Sequence, residues 1–196
     1  AQEGGETEIM DAVADVVESC TFGKLDVSKL PSFDLEYIFL KIRSKAVGEK
    51  VTLNLPFPGD ENVKVPTKVD LSKVEVHMDE EHTNKIDLTD EVSVVMRYPT
   101  IKTFGGISVT KLTADDAVEM TSRCIHQVIN GVETFESMDL SKEDKTEFIE
   151  NLTQDQFAKV QKFFTTMPKL SHTVTLTHPK TKKKAKYKLE GMQSFF

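Results

Sequence analysis

Apolar residues fall on two opposite sides of the helix predicted between Ser32 and Gly48. An ordinary surface helix has one apolar stripe and a broad polar face, but the charged residues here are confined to two narrow seams. At about 100° per residue, one side carries Phe33, Tyr37 and Leu40, and the other carries Leu35, Phe39, Ile42 and Ala46. The pattern predicts a helix that is covered twice, either within its own domain or by its own domain and a partner protein.

Helical spacing of apolar residues predicts four more helices on either side of a β-rich middle. Asn130-Gly131 is expected to end the second of them. Thr153 and Gln156 have the spacing of a capping box and are expected to begin the last one. The predicted helices are Thr7–Cys20, Thr113–Val128, Ser141–Leu152 and the segment that follows Thr153.

The apolar period changes from helical to alternating between Glu49 and Pro99. This indicates a small antiparallel β-region that contains a hairpin, with Pro56–Asn62 as its turn. A second hairpin is predicted at the end of the chain, where Thr173–Thr177 and Lys184–Leu189 flank a polar turn.

We therefore predict an α+β protein with a helical body and small antiparallel β-hairpin regions in the middle and at the C-terminus. The predicted parts form one compact or loosely two-lobed unit. They are a helical segment at 1–48, a β-rich hairpin region at 49–112, a second helical segment at 113–170, and a C-terminal hairpin and tail at 171–196.

Composition and charge narrow the range of partners. The chain has 196 residues, a net charge of -7 and a pI of about 5.3, which argues against a nucleic-acid partner. No apolar run approaches the roughly 20 residues that span a bilayer, so we expect no membrane partner. Cys20 and Cys124 are isolated, which favours a reducing compartment.

The sequence carries little that is typical of catalysis. It has no phosphate-cradling glycine loop and no Ser or Cys in a recognisable nucleophile setting. Cys124 and His126 are two residues apart and would diverge on a helix, which is wrong for shared metal ligation. We therefore predict that the protein is not an enzyme and has no cofactor and no metal site.

A cluster of lysines lies in the predicted C-terminal turn of this acidic chain. The cluster allows two interpretations. It is a contact to a polyanion or an acidic protein surface, or it keeps a hairpin turn soluble and blunts a strand edge. Only Tyr187 is an aromatic neighbour, which disfavours stacking on nucleic acid. The lysines are Lys180, Lys182, Lys183, Lys184 and Lys186.

The chain ends on Phe195 and Phe196, although free termini are usually polar and frayed. This pair is either folded back into the core or offered to a neighbouring protein, and the sequence leaves both open. With one side of the double-faced helix, the pair forms our candidate partner interface. The candidate residues are Phe33, Tyr37 and Leu40, or alternatively Leu35, Phe39 and Ile42, with Phe195 and Phe196.

Several segments resemble one known family. Residues 30–49, LPSFDLEYIFLKIRSKAVGE, and the ending Leu189–Phe196 are similar to the baseplate protein family of T-even-like contractile-tailed bacteriophages. His82–Ile86 and Met96–Pro99 fit the middle of that family. Its members are described as baseplate hub subunits or hub assembly proteins, and it has no assigned catalytic residues.

The resemblance implies a non-enzymatic component of a contractile phage tail baseplate, either a hub subunit or a hub assembly factor. Its partners would be other baseplate or hub proteins, in an oligomeric assembly made in the host cytoplasm and placed in the virion tail. The family has an N-terminal β-rich segment, so residues are expected before Ala1. Some relatives carry Cys-x-x-Cys pairs in the hairpin turns, but Pro56–Asn62 and Pro179–Lys184 contain no cysteine, so no zinc is expected. The alternative is a nucleic-acid-binding phage accessory protein that uses the basic turn at 180–186.

Overall fold

The computed structural model describes residues 5–105 and 113–196. The double-faced helix is present as α2, close to its predicted bounds, because Gly48 lies just beyond its end with φ +126°. The capping boxes at Thr113, Ser141 and Thr153 begin the three later helices. The α-helices are α1 (Gly5–Cys20), α2 (Ser32–Val47), α3 (Ile101–Phe104), α4 (Ala114–Arg123), α5 (Lys142–Glu150) and α6 (Gln154–Thr166).

The strands form three antiparallel sheets. Strands β1 and β2 form a two-stranded sheet, β3-β8-β9 a three-stranded sheet, and β4-β5-β6-β7 a four-stranded sheet. Both predicted hairpins are confirmed, as β1–β2 and β8–β9. The strands are β1 (Lys50–Phe57), β2 (Asp60–Asp70), β3 (Glu75–His77), β4 (Lys85–Asp87), β5 (Val92–Met96), β6 (Ile125–Asn130), β7 (Glu133–Glu136), β8 (Lys169–Thr177) and β9 (Lys184–Glu190).

The predicted helical body with small hairpin regions was wrong. The protein is α+β, but no helical body dominates it, because about a third of the chain forms three antiparallel sheets of two, three and four strands. Strands that are distant in sequence, such as β3 and β8, pair with each other. The sequence pattern showed local hairpins, but long-range pairing depends on contacts that no local period encodes.

The error is largest in the helix predicted over Thr113–Val128. Helix α4 ends at Arg123, and the residues from Ile125 onward form β6. Asn130-Gly131 does not end a helix but opens the β6–β7 turn, in which Gly131 has φ +59°. Glycine with positive φ at the first central position is typical of a type II′ hairpin turn. The β-branched residues of β6 also suit a strand, so an apolar spacing compatible with a helix was misleading.

The chain forms two compact units, each built from separate stretches. The first contains residues 5–12 and 28–32 and the described part of 78–167. Its core lies between the four-stranded sheet and helices α5 and α6. The largest fully buried side chain there is Phe163 of α6, and Cys124, just before β6, is fully buried as well. The other buried core residues are Ile86, Leu88, Val94, Met96, Ile125, Val128, Ile149 and Val160.

The second unit contains residues 13–27, 33–77 and 168–196. It holds the two smaller sheets, nearly all of α2 and the C-terminal segment. The apolar residues that alternate along β1 and β8 supply buried side chains, among them Leu53, Leu55 and Leu176. The division of the chain into four consecutive parts at 1–48, 49–112, 113–170 and 171–196 stays a prediction.

Within residues 5–105 and 113–196, no helix is long and apolar enough to cross a membrane.

Candidate protein interface

One side of α2 is covered by the segment that leads into β3. The Tyr37 hydroxyl donates to a Glu75 carboxylate oxygen at 3.0 Å, and this bond lowers the pKa of Glu75. The Lys41 ammonium donates to the carbonyl oxygens of Ser72, at 2.8 Å, and Val74, at 2.9 Å. These bonds fix the helix against the strand and leave less of this side open to a partner.

The opposite side of α2 is covered by the end of the chain. The Phe196 ring lies 6.1 Å from the Phe39 ring, centroid to centroid, and the Arg43 guanidinium lies 4.7 Å from the Phe196 ring centre. The Glu36 carboxylate accepts a hydrogen bond from the Met192 backbone N–H at 3.2 Å. Burial raises the pKa of Glu36, and the bond from Met192 opposes that shift. The chain therefore supplies its own cover on both sides of α2.

The candidate interface residues divide into two groups. Phe33, Leu35, Leu40 and Phe195 are buried within the chain, so they hold α2 and the terminal segment in place. Tyr37, Phe39 and Ile42 are half-buried. Phe196 is 56% exposed. The two terminal phenylalanines therefore have different surroundings, with Phe195 inside the core and Phe196 on the surface.

The lysine-rich turn between β8 and β9 is anchored by a buried histidine. His178 Nδ1 accepts hydrogen bonds from the backbone N–H groups of Lys180, at 3.1 Å, and Thr181, at 3.2 Å. Its ring lies edge-on to Phe57 at 5.0 Å, and Nε2 lies 3.4 Å from a carboxylate oxygen of Asp60. Because Nδ1 accepts two bonds, the neutral ring carries its proton on Nε2. All five lysines of the cluster are exposed, with Lys184 and Lys186 on β9 and the others in the turn before it: Lys180, Lys182, Lys183, Lys184 and Lys186.

Sequence reasoning missed an exposed apolar hairpin in the first unit. Val132 at the β6–β7 turn is fully exposed, Met138 just beyond β7 is 89% exposed, and Phe135 on β7 is 39% exposed. Phe135 is paired with the buried Val128, so both side chains lie on the core-facing side of the sheet. The apolar surface on this side therefore continues from the core to the solvent-exposed edge of the sheet. The Asn130-Gly131 turn was the sequence signal for this hairpin.

Strand β7 is the edge of the four-stranded sheet. Among the described residues it pairs with β6 alone, so its other edge offers backbone N–H and C=O groups. An apolar hairpin beside an open edge is a common docking element for another polypeptide. In the part of the chain that the structure describes, no group of three His, Cys, Asp or Glu side chains lies close enough to hold a metal ion.

With its two units and three antiparallel sheets, the protein belongs to the α+β class. Its exposed apolar hairpin provides a surface suited to contacts with other proteins. The family described as T4 bacteriophage base plate protein matches the chain over residues 1–196, which confirms the resemblance seen in the sequence. The chain therefore belongs to this phage baseplate family. Comparison with curated proteins and with solved structures gave no match.

Proposed function

We propose that this protein is a non-enzymatic component of a contractile phage tail baseplate, acting as a hub subunit or a hub assembly factor. Its work is to bind other baseplate or hub proteins in an oligomeric assembly, either in the virion tail or in the host cytoplasm during assembly. Membership of the phage baseplate family supports this proposal. The observation in the structure that supports the proposal is the exposure of apolar side chains between residues 132 and 138.

The hairpin supplies what the apolar centre of an interface needs. Three apolar side chains within seven residues are accessible to solvent, and exposed apolar surface is a common feature of protein contact sites. A standard interface removes about 1,600 Å² from water and concentrates its binding energy in a few central side chains. We assign that central role to Val132, Phe135 and Met138.

A second contact is proposed in the unit that contains α2. Phe196 presents its ring to solvent while Phe39 and Arg43 hold it from behind. The side chains of Tyr37, Phe39 and Ile42 lie on α2 and are partly accessible to solvent. The buried residues Phe33, Leu35, Leu40 and Phe195 support this contact from within and do not touch the partner in this conformation.

The test replaces the hairpin side chains and follows baseplate assembly. The variant Val132→Ser/Met138→Ser removes two exposed apolar side chains, and Val47→Ser/Met78→Ser is a matched control at two other exposed positions. In cells that make each variant in place of the natural chain, we expect the hairpin variant to lower the yield of completed baseplates by about tenfold or more. The control should preserve the yield, and both purified variants should keep the natural unfolding temperature.

Equal yields from the two variants would contradict the hairpin contact. Mass spectrometry of the completed particles then separates the two roles. A hub subunit remains in them at a fixed number of copies, whereas an assembly factor is absent from them.

A further inference from the structure

A cationic cavity lies in the first unit. Its volume is about 540 Å³, which is within the range of small-molecule sites, roughly 300–1,000 Å³. Among the described residues no carboxylate lines it, although the whole chain has a net charge of -7. Six cationic side chains line its wall: Lys29, Arg97, Lys102, Arg123, Lys142 and Lys145.

Nearby acidic groups neutralise only part of this charge. The Glu119 carboxylate pairs with both Arg123 and Lys142, at 2.7 Å in each case, so one negative charge serves two cations. Within the described part of the chain, Lys102 and Lys145 form no ion pair. The positive charge of Arg97 is not neutralised there either, because the hydrogen bonds of its guanidinium go to a neutral carbonyl oxygen.

The two arginines are held rigidly at the wall. Arg97 donates from Nε and Nη2 to the Arg123 carbonyl oxygen at 3.2 and 3.0 Å. Arg123 donates in turn to the carbonyl oxygens of Thr103, at 2.8 Å, and Gly105, at 2.7 Å. Guanidinium groups fixed in this way lose little freedom when they bind an oxyanion.

Crowding of like charges is visible at Lys145. Burial lowers the pKa of Lys145, and the positive charge of Arg97 lowers it further. Arg97, Lys102 and Lys145 bring positive charges together at this wall, and an anion that binds there would relieve their repulsion. The lysines come from separate elements, with Lys102 on α3 and Lys142 and Lys145 on α5, so the fold brings this charge together.

We propose that this cavity binds a small anion that carries two or more phosphate groups. A terminal phosphate group has a charge of about -1.5 to -2 at neutral pH, so an anion with two such groups brings three to four charges into a small volume. An acidic peptide would need to place several carboxylates in the cavity to supply the same negative charge. The Thr100 side chain lines the same wall, and its hydroxyl is suited to a phosphate oxygen.

Calorimetric titration of the full chain with sodium tripolyphosphate tests this proposal, in magnesium-free buffer at about 150 mM salt. We expect saturable binding of one anion per chain. The variant Lys102→Gln/Lys145→Gln should weaken it by about tenfold or more. The control Lys64→Gln/Lys68→Gln loses the same two charges at exposed positions on β2 and should bind as the natural chain does.

Three results would overturn the proposal. The first is equal weakening in the two variants, because binding would then follow the overall charge of the protein. The second is tighter binding of a short oligoglutamate peptide than of tripolyphosphate, which would assign the cavity to an acidic protein segment. The third is equal affinity for sulfate, which would mean that the site does not select multiple phosphate groups. None of these results bears on the baseplate yield measured for the hairpin variants.

Discussion

His82 joins two of the sequence segments that carry the family resemblance. Its ring lies 5.6 Å from that of Tyr98 and 5.2 Å from that of Phe163. Nδ1 is 2.9 Å from the Thr166 hydroxyl, and Nε2 is 3.0 Å from the Tyr98 hydroxyl. Burial lowers the pKa of His82, and the Asp79 carboxylate opposes that shift only in part. The folded protein therefore favours the neutral ring.

This pKa shift predicts a loss of stability in mild acid. Below about pH 6.5 the histidine of the unfolded chain binds a proton that the folded chain resists, so the free energy of unfolding falls as the pH falls. Urea unfolding at about pH 7.5 and pH 5.5 measures this loss. We expect the loss to be smaller in His82→Gln than in the natural chain.

The control for this prediction is His126→Gln, which changes an exposed histidine on β6. It should leave the pH dependence unchanged, since contributions from other groups are common to all three proteins. An unchanged loss of stability in His82→Gln would show that the enclosed ring is not responsible.

Helices α4, α5 and α6 each begin at a pair of residues three positions apart. At α6 the Thr153 backbone N–H donates to the Gln156 side-chain oxygen at 2.9 Å, and the Gln156 N–H donates to the Thr153 hydroxyl at 3.3 Å. The same reciprocal pair begins α4 at Thr113 and α5 at Ser141. Such pairs satisfy backbone donors that the first turn of a helix leaves free.

Substitution of the α6 cap therefore has a predictable cost. Thr153→Ala removes the hydroxyl acceptor and should lower the free energy of unfolding by about 1 kcal/mol. Thr153→Ser keeps the acceptor and should stay close to the natural value. The measurement is the urea midpoint at constant slope. A midpoint for the alanine variant that matches the serine variant would contradict a stabilising cap at this position.

The net charge of the whole chain argues against a nucleic-acid partner for the lysine cluster. Five exposed lysines in the turn ordered by His178 and at the start of β9 form a local positive surface, but the chain as a whole has a net charge of -7. Long-range repulsion therefore opposes the approach of a nucleic-acid backbone. The solubility of the hairpin and contact with an acidic protein surface both remain compatible with this turn.

We expect no binding of duplex DNA tighter than about 10⁻⁴ M at physiological salt, the weak end of non-specific binding. Fluorescence anisotropy with a labelled duplex measures this, with a variant that has glutamine at all five lysine positions as the control. Tighter binding that falls steeply with salt and disappears in that variant would favour the nucleic-acid alternative.

Features that depend on near neighbours along the chain could be predicted from the sequence. The alternation in β1 and β8, the capping boxes and the two-sided pattern of α2 all arise from interactions over a few residues, so a linear pattern reveals them. Family membership was also recognisable there, because it depends on segments such as residues 30–49 and the ending Leu189–Phe196.

Which surfaces remain accessible to a partner depends on the tertiary structure. Phe195 and Phe196 are adjacent in sequence, yet one is buried and the other exposed, because the path of the chain end across α2 separates them. Residues 125–136 form a hairpin because pairing with β5 outweighs a spacing that also fits a helix. The cationic cavity gathers Arg97, Lys102 and Lys145 from separate elements. Burial and charge density of this kind depend on distances in space, which a one-dimensional pattern does not contain.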